Sequence, residues 1–203
     1  MELGAELKLT RVTWRSSEAT VPNSPGPAAA AGVTLHVPPG QSVALYSEPA
    51  GDATELLSIV AGLRRPSSGQ VMVDEVAVEQ LSGPALDDYL ASRGLLNARF
   101  PLVPRLPAEQ QWRTLIARAL RLSPRLVLAE DCAPGLDSRS ATAVLDLLMD
   151  VHAQFGFTLL LTVSRLAMAS HCQRLVRLAG AAVIEDELIN DDPWTRDRVD
   201  RIG

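Results

Sequence analysis

Short apolar runs and helical stretches alternate along this chain. Glu6 to Trp14 alternates polar and apolar positions, with Leu7, Leu9 and Val12 among the apolar ones, and predicts an opening strand. Val33 to Val37 predicts a second strand, and Pro38-Pro39-Gly40 turns the chain into a third, Ser42 to Tyr46. A helix follows, with apolar positions at Leu56, Leu57, Val60 and Leu63. Gln70 to Val78 reads as a strand pair turning near Asp74-Glu75, and Pro84 to Tyr89 as a short helix. Arg93 to Phe100 opens on the apolar pair Leu95-Leu96 and runs into a proline-punctuated loop, Pro101 to Pro107. Beyond it Trp112, Leu115, Ile116 and Ala119 repeat at helical spacing, and Pro107 suits a first helical turn. Leu126 to Ala129 is a buried strand, and Ser138 to Gln154 an amphipathic helix with Ser138 as its expected N-cap. Thr158 to Val163 is an apolar strand of the kind found inside parallel sheets. A short helix at Leu166 to His171 leads to strands at Leu175–Leu178 and Ala182–Glu185. The alternation predicts an α/β fold with a mostly parallel central sheet. Strands near Val43, Val127 and Leu160 are expected side by side.

Length sharpens this picture. With 203 residues the chain is expected to be one domain, 1–203, with a flexible loop at 16–32 and a polar tail at 186–203 that Trp194 pins to the body. Net charge is 19 minus 24, or −5, with no basic block, so nucleic acid is not an expected partner. Lys8 is the only lysine. No run is apolar enough to span a bilayer, and the N-terminus shows no signal peptide. The expected location is therefore cytoplasmic, with any contact at the inner face of the cell membrane made through a partner. Cys132 and Cys172 form no disulfide framework and are expected as buried, reduced thiols. His36, His152 and His171 have no metal-site spacing and are expected as surface or core residues.

The stretch from Ser42 to Leu63 carries the candidate chemistry. Strand, glycine-bearing loop and helix N-terminus is the architecture that holds a phosphate, because loop N–H groups and helix dipole both face the anion. A working phosphate loop has G-x-x-x-x-G-K-[ST], with a lysine to neutralise the phosphates. Here the run is Ser47-Glu48-Pro49-Ala50-Gly51-Asp52-Ala53-Thr54. Gly51 and Thr54 keep useful residue types, while the lysine position is Ala53. Arg64 and Arg65 fall beyond the helix and supply no substitute. Glu48, Asp52 and Glu55 add three carboxylates in or beside the loop. At close range each repels a phosphate by up to about 4 kcal/mol, against roughly 0.5 to 2 kcal/mol offered by the helix dipole. The balance goes against tight nucleotide binding.

Taken together these segments resemble the ATP-binding cassette domain of ABC transporters, nearly end to end. Gly32 to Gly40 is similar to the strand and turn leading into the Walker A loop, and Leu63 to Asp74 to the family's post-helix loop and hairpin. Leu106-Pro-Ala-Glu-Gln-Gln-Trp-Arg-Thr-Leu-Ile-Ala-Arg-Ala-Leu120 resembles the signature motif and its helix. Pro124 to Asp131 is similar to Walker B, and Gly135-Leu136-Asp137 to the D-loop. The resemblance implies a P-loop NTPase-like three-layer fold with an antiparallel N-terminal β portion, and ATP and Mg²⁺ as cofactors wherever binding is retained. It also makes the departures visible. The adenine-stacking aromatic falls at Ser16, and Trp14 where the family buries a phenylalanine. The Q-loop glutamine is Ala98, and the switch histidine is Ser164. The signature run is Pro107, Ala108, Glu109 and Gln110, with Pro107 in the serine position. Walker B has Glu130 where an aspartate supports magnesium and Asp131 where a glutamate polarises water; Thr54 and Glu130 would hold the metal. Residues 98–106 leave room for a loop where the family carries a helical subdomain.

Glu130 and Asp131 read either as a metal or water site or as solvated acids at a strand end. Asp137 reads either as a dimer-interface residue or as a cap for the helix near Ser138. Three functions follow from the resemblance. The leading one is an ATP-binding subunit-like protein without hydrolysis, and with no cofactor expected. It would act through a competent cassette ATPase, a homodimer or a membrane permease. The second is a subunit that still binds ATP weakly. The third is a stand-alone interaction module on the old fold.

Overall fold

The structure, a computed structural model, describes residues 4–14, 32–48, 51–91, 94–97, 108–121, 123–131 and 136–190. Ser16, most of the 16–32 loop, Ala98, Pro107, Cys132, Gly135 and Trp194 fall outside them. In chain order the elements are β1 (Leu7–Thr13), β2 (Val33–Val37), β3 (Ser42–Ser47), α1 (Gly51–Val60), β4 (Ser68–Val73) and β5 (Val76–Ala77). There follow α2 (Pro84–Ala91), β6 (Gly94–Asn97), α3 (Ala108–Leu120), β7 (Leu126–Glu130), α4 (Ser138–Phe155), β8 (Thr158–Thr162), β9 (Arg174–Leu178) and β10 (Val183–Leu188). Single 3₁₀ turns occupy Val78–Gln80 and Leu166–His171.

Two sheets result. One is antiparallel, in the order β2-β1-β4-β5; the other runs β10-β9-β3-β8-β7-β6 and is parallel except for its β10 edge. Val43 pairs with Leu160, and Leu160 with Leu128, so the three expected strands are indeed neighbours. Alternation along these strands feeds two cores. Val43, Leu45, Leu128, Leu160 and Val176 face α1 and the antiparallel sheet. Ala44, Val127, Ala129, Leu159 and Leu161 face α3 and α4. Strands buried on both faces are why these runs read as apolar throughout. Trp14 joins the first core, as expected from its place where the family buries a phenylalanine.

Three local expectations change. The first helix ends at Val60, and Leu63 sits beyond it, 60 % exposed, so its helical spacing is coincidental. The N-cap of α4 is Asp137 rather than Ser138: its carboxylate accepts from the Arg139 and Ser140 N–H groups, both at 3.0 Å. Asp186 to Leu188 belong to β10 and not to the tail. Arg174 draws that acidic segment into the sheet by gripping Asp186 through two bonds of 2.6 Å.

One helix end is tied by a buried histidine. Gly156, at φ 68, caps α4 in the left-handed conformation that glycine adopts without strain. One turn earlier the buried His152 donates from Nε2 to the Gly40 carbonyl at 3.0 Å and meets the Phe157 ring edge-on at 5.3 Å. Burial pushes the imidazole pKa below its ordinary value, and the Gly40 bond opposes that shift only in part. A depressed histidine pKa makes folding favour the neutral ring. This stability is complete above the unfolded value of about 6.5 and is lost as pH falls through and below it. Lowering pH from about 7.5 to about 5.5 should lower Tm more in the native chain than in His152→Gln, which keeps an N–H donor but does not titrate. Equal pH slopes in the two proteins would contradict the assignment.

Candidate functional site

The parallel strands deliver their C-terminal ends to one side of the sheet, where open α/β sheets place ligands. Leu45 of β3 pairs with Thr162 of β8, and Thr162 pairs with Glu130 of β7. With strands about 4.8 Å apart, Glu130 thus stands roughly 10 Å from the strand that feeds the loop. Ser47, Glu130 and Ser164 are therefore brought to one rim, together with the first turn of α1.

That turn is already satisfied from within. Ser47 is 4 % exposed, and its hydroxyl accepts the Ala53 N–H at 3.0 Å. In a phosphate loop such an N–H is a donor for the ligand. The Ala53 methyl is 2 % exposed and packs in the cluster of Val43, Leu45 and Leu56, so the lysine position opens onto apolar core. Asp52, 7 % exposed, turns its carboxylate to the Gly180 N–H at 2.7 Å. Gly51 has no left-handed φ, and a Cβ built on it meets nothing within 4 Å, so the backbone does not require glycine there. Thr54 is half-buried.

The three carboxylates do not converge on the loop as their spacing suggests. Asp52 is held at Gly180, Glu55 is ion-paired with Arg64, and the exposed Glu48 accepts from the Tyr46 hydroxyl at 3.2 Å. Direct repulsion of a phosphate is thereby weaker than the sequence implies. The obstacle is instead a missing cation and an N–H already in use. Arranged so, the segment offers a triphosphate neither a lysine nor an unused Ala53 N–H.

At the end of β7, Glu130 and Asp131 are both half-buried. Asp131 sits at φ 30, and its N–H donates to Thr162 Oγ1 at 2.9 Å. Thr162, 4 % exposed, so fixes the bend that separates the two acids. Among the described residues no group of three His, Cys, Asp or Glu side chains is arranged to hold a metal ion.

Asp137 is exposed, and both of its oxygens are engaged: Oδ1 by the two cap N–H groups, Oδ2 by the Ser140 hydroxyl at 2.8 Å. The Ser140 bonds, backbone first, hold its carboxyl below the ordinary range. Ser164 is exposed two residues after the end of β8. Ala108, Glu109 and Gln110 open α3, with Gln110 exposed and its carbonyl accepting from Thr114 at 2.9 Å. Cys172 is fully buried, which pushes its thiol pKa up to about 12 and leaves it unreactive. His36 and His171 are each paired with a carboxylate, Glu6 and Asp146 respectively.

Sequence reading missed three contributors: the Ser47 hydroxyl, the Gly180 amide and Thr162. Only Ser47 left a signal, as a side chain in the place of the loop's first glycine. No helix among the described residues is long and apolar enough to cross a membrane.

No protein-family model matches the chain. Among curated proteins it is similar to the phosphonates import ATP-binding protein PhnC of Rhizobium etli. They are 28 % identical over 207 aligned residues, spanning 76 % of this chain and 74 % of that protein. It is also similar to the lipoprotein-releasing system ATP-binding protein LolD of Koribacter versatilis, 26 % identical over 200 residues, with 76 % and 90 % covered. Among solved structures, the ATP-binding cassette MJ0796, a dimer bound to ADP and Pi, superposes with a TM-score of 0.71 at 21 % identity, covering 92 % of this chain and 100 % of that one. The cbiO1 protein of Clostridium perfringens, part of the ABC transporter complex cbiONQ, gives 0.74 at 17 % identity, with 93 % and 90 % covered. At these identities the structural likeness speaks for the fold.

Proposed function

We propose, from its likeness to ATP-binding proteins of ABC transporters in sequence and to their cassettes in fold, that this chain is an ABC transporter nucleotide-binding subunit whose phosphate site is silent. Its contribution to a transport complex is made by binding other subunits. The observation that carries this reading is the Ser47–Ala53 contact. The N–H that a phosphate would take is bonded at 3.0 Å to the chain's own hydroxyl, and the adjacent methyl is buried in the core.

Nucleotide is then not the cofactor that holds the protein in its active shape. The fold keeps what a binding partner would read: a three-layer body, the capped start of α4 at Asp137, and the exposed Gln110 in the first turn of α3. Of the solved structural neighbours, MJ0796 is described as a dimer and cbiO1 as part of the cbiONQ complex. By analogy the partners expected here are a competent cassette ATPase, a second copy, or a permease, met in the cytoplasm at the membrane face. Weak ATP binding is the second reading. It is supported by the retained strand, loop and helix N-terminus and by relatives described as ATP-binding proteins. The roles of Thr54, Glu130 and Asp131 toward a magnesium ion belong to that second reading.

A thermal melt separates the two. A ligand that binds only the folded state stabilises it by RT ln(1 + [L]/Kd). With a Kd in the millimolar range or weaker, Mg-ATP at tens of micromolar leaves Tm unchanged. A rise of several degrees at that concentration would overturn the silent-site reading.

A further inference from the structure

We infer that Ser47 and Asp52 form an internal latch on the first turn of α1, the Ser47 hydroxyl occupying the Ala53 N–H and the Asp52 carboxylate fastening the turn to Gly180. The inference rests on the silent-site reading and says what keeps the site silent beyond the missing lysine.

Both members stand where the phosphate-loop pattern has glycine. Ser47 takes the first glycine position and Asp52 the second, immediately before Ala53. Each brings a side chain where the pattern has none, and each side chain is used. The Ser47 hydroxyl, buried at the end of β3, bonds back across the loop to the first turn of α1. Asp52 reaches out of that turn to Gly180, which is 128 residues away in sequence. Gly180, at φ 58, belongs to the turn between β9 and β10 and presents its N–H to the carboxylate. A buried carboxylate is tolerated only with such partners, and the first turn of a helix favours negative charge. The first turn of α1 is thus fastened at two points, to the end of β3 and to the turn between β9 and β10. An anion arriving at this helix end would compete with Ser47 for an N–H.

The latch is tested by rebuilding the site in two ways. Ala53→Lys restores the cation alone; Ser47→Gly/Asp52→Gly/Ala53→Lys restores it and opens the latch. Calorimetry with Mg-ATP should find the triple variant binding at least about tenfold more tightly than the single one. Hydrogen–deuterium exchange supplies a readout in a single substitution. The Gly180 amide should exchange roughly tenfold faster in Asp52→Ala and near the native rate in Asp52→Asn, which keeps an acceptor oxygen. Equal affinity of the single and triple variants, or unaltered Gly180 exchange in Asp52→Ala, overturns the latch. Should the triple variant fail to fold, the exchange measurement decides alone. Micromolar binding of Mg-ATP by the unsubstituted chain would instead overturn the silent-site reading.

Discussion

Purified protein is expected to hydrolyse Mg-ATP no faster than background, and Ala53→Lys alone is expected not to change that. The cation is one of several absences. An ABC site fires when the Walker motifs of one subunit face the signature of another, as the family resemblance implies. Here the switch position is Ser164 and the signature serine position is Pro107, so a homodimer lacks groups on both sides of its γ-phosphate. Losing one preorganised donor typically costs about 10²- to 10³-fold in rate, and several together return the reaction to near background even without strict additivity. The local structure adds a reason specific to this chain. The Ala53 methyl is 2 % exposed among Val43, Leu45 and Leu56, so a lysine there begins its path in apolar packing. The N–H beside it is already bonded to Ser47. Steady-state phosphate release by the native protein and by Ala53→Lys is the measurement. Robust turnover by Ala53→Lys would mean that Glu130 and Asp131 are competent and that the site is one substitution from activity.

Leu160→Ala is expected to destabilise the fold by roughly 2 to 5 kcal/mol, the range for buried leucines that leave a cavity. Leu160 is fully buried at the centre of β8, between Val43 of β3 and Leu128 of β7, so no neighbour can move in without disturbing two strand pairings. At about 2 to 4 °C per kcal/mol for a chain of this size, Tm should fall by roughly 4 to 20 °C. Leu63→Ala is the control. It stands beyond the end of α1 with most of its surface in water, and its loss should stay within about 0.5 kcal/mol. Similar melting of the two variants would contradict the sheet order β3-β8-β7.

Most of the architecture was legible because the central strands are buried on both faces. Val43, Leu128 and Leu160 sit in uninterrupted apolar runs, and such runs have few other homes in a fold where helices alternate with strands. Helix ends were less legible. Leu63 has the spacing of a core residue, yet Gly62 follows α1 at φ 75 and turns the chain away. Asp137 and Ser138 are both good capping residues, and only backbone geometry distinguishes them; Asp137 at ψ 161 is extended and its neighbour is helical. The site was half legible. The loss of lysine at Ala53 can be read from a motif, but the fate of the carboxylates cannot, because Asp52 answers to Gly180, across the fold and far along the chain. Proximity in sequence suggested a repulsive cluster around the loop. Tertiary partners disperse it.

The central claim is that the phosphate-loop segment of this protein binds no nucleotide of physiological use, and calorimetric titration of the full chain with Mg-ATP tests it most directly. The account predicts no saturable heat below the millimolar range, because a missing lysine and an Ala53 N–H already bonded to Ser47 both act against the triphosphate. A one-site isotherm with a micromolar Kd would contradict it.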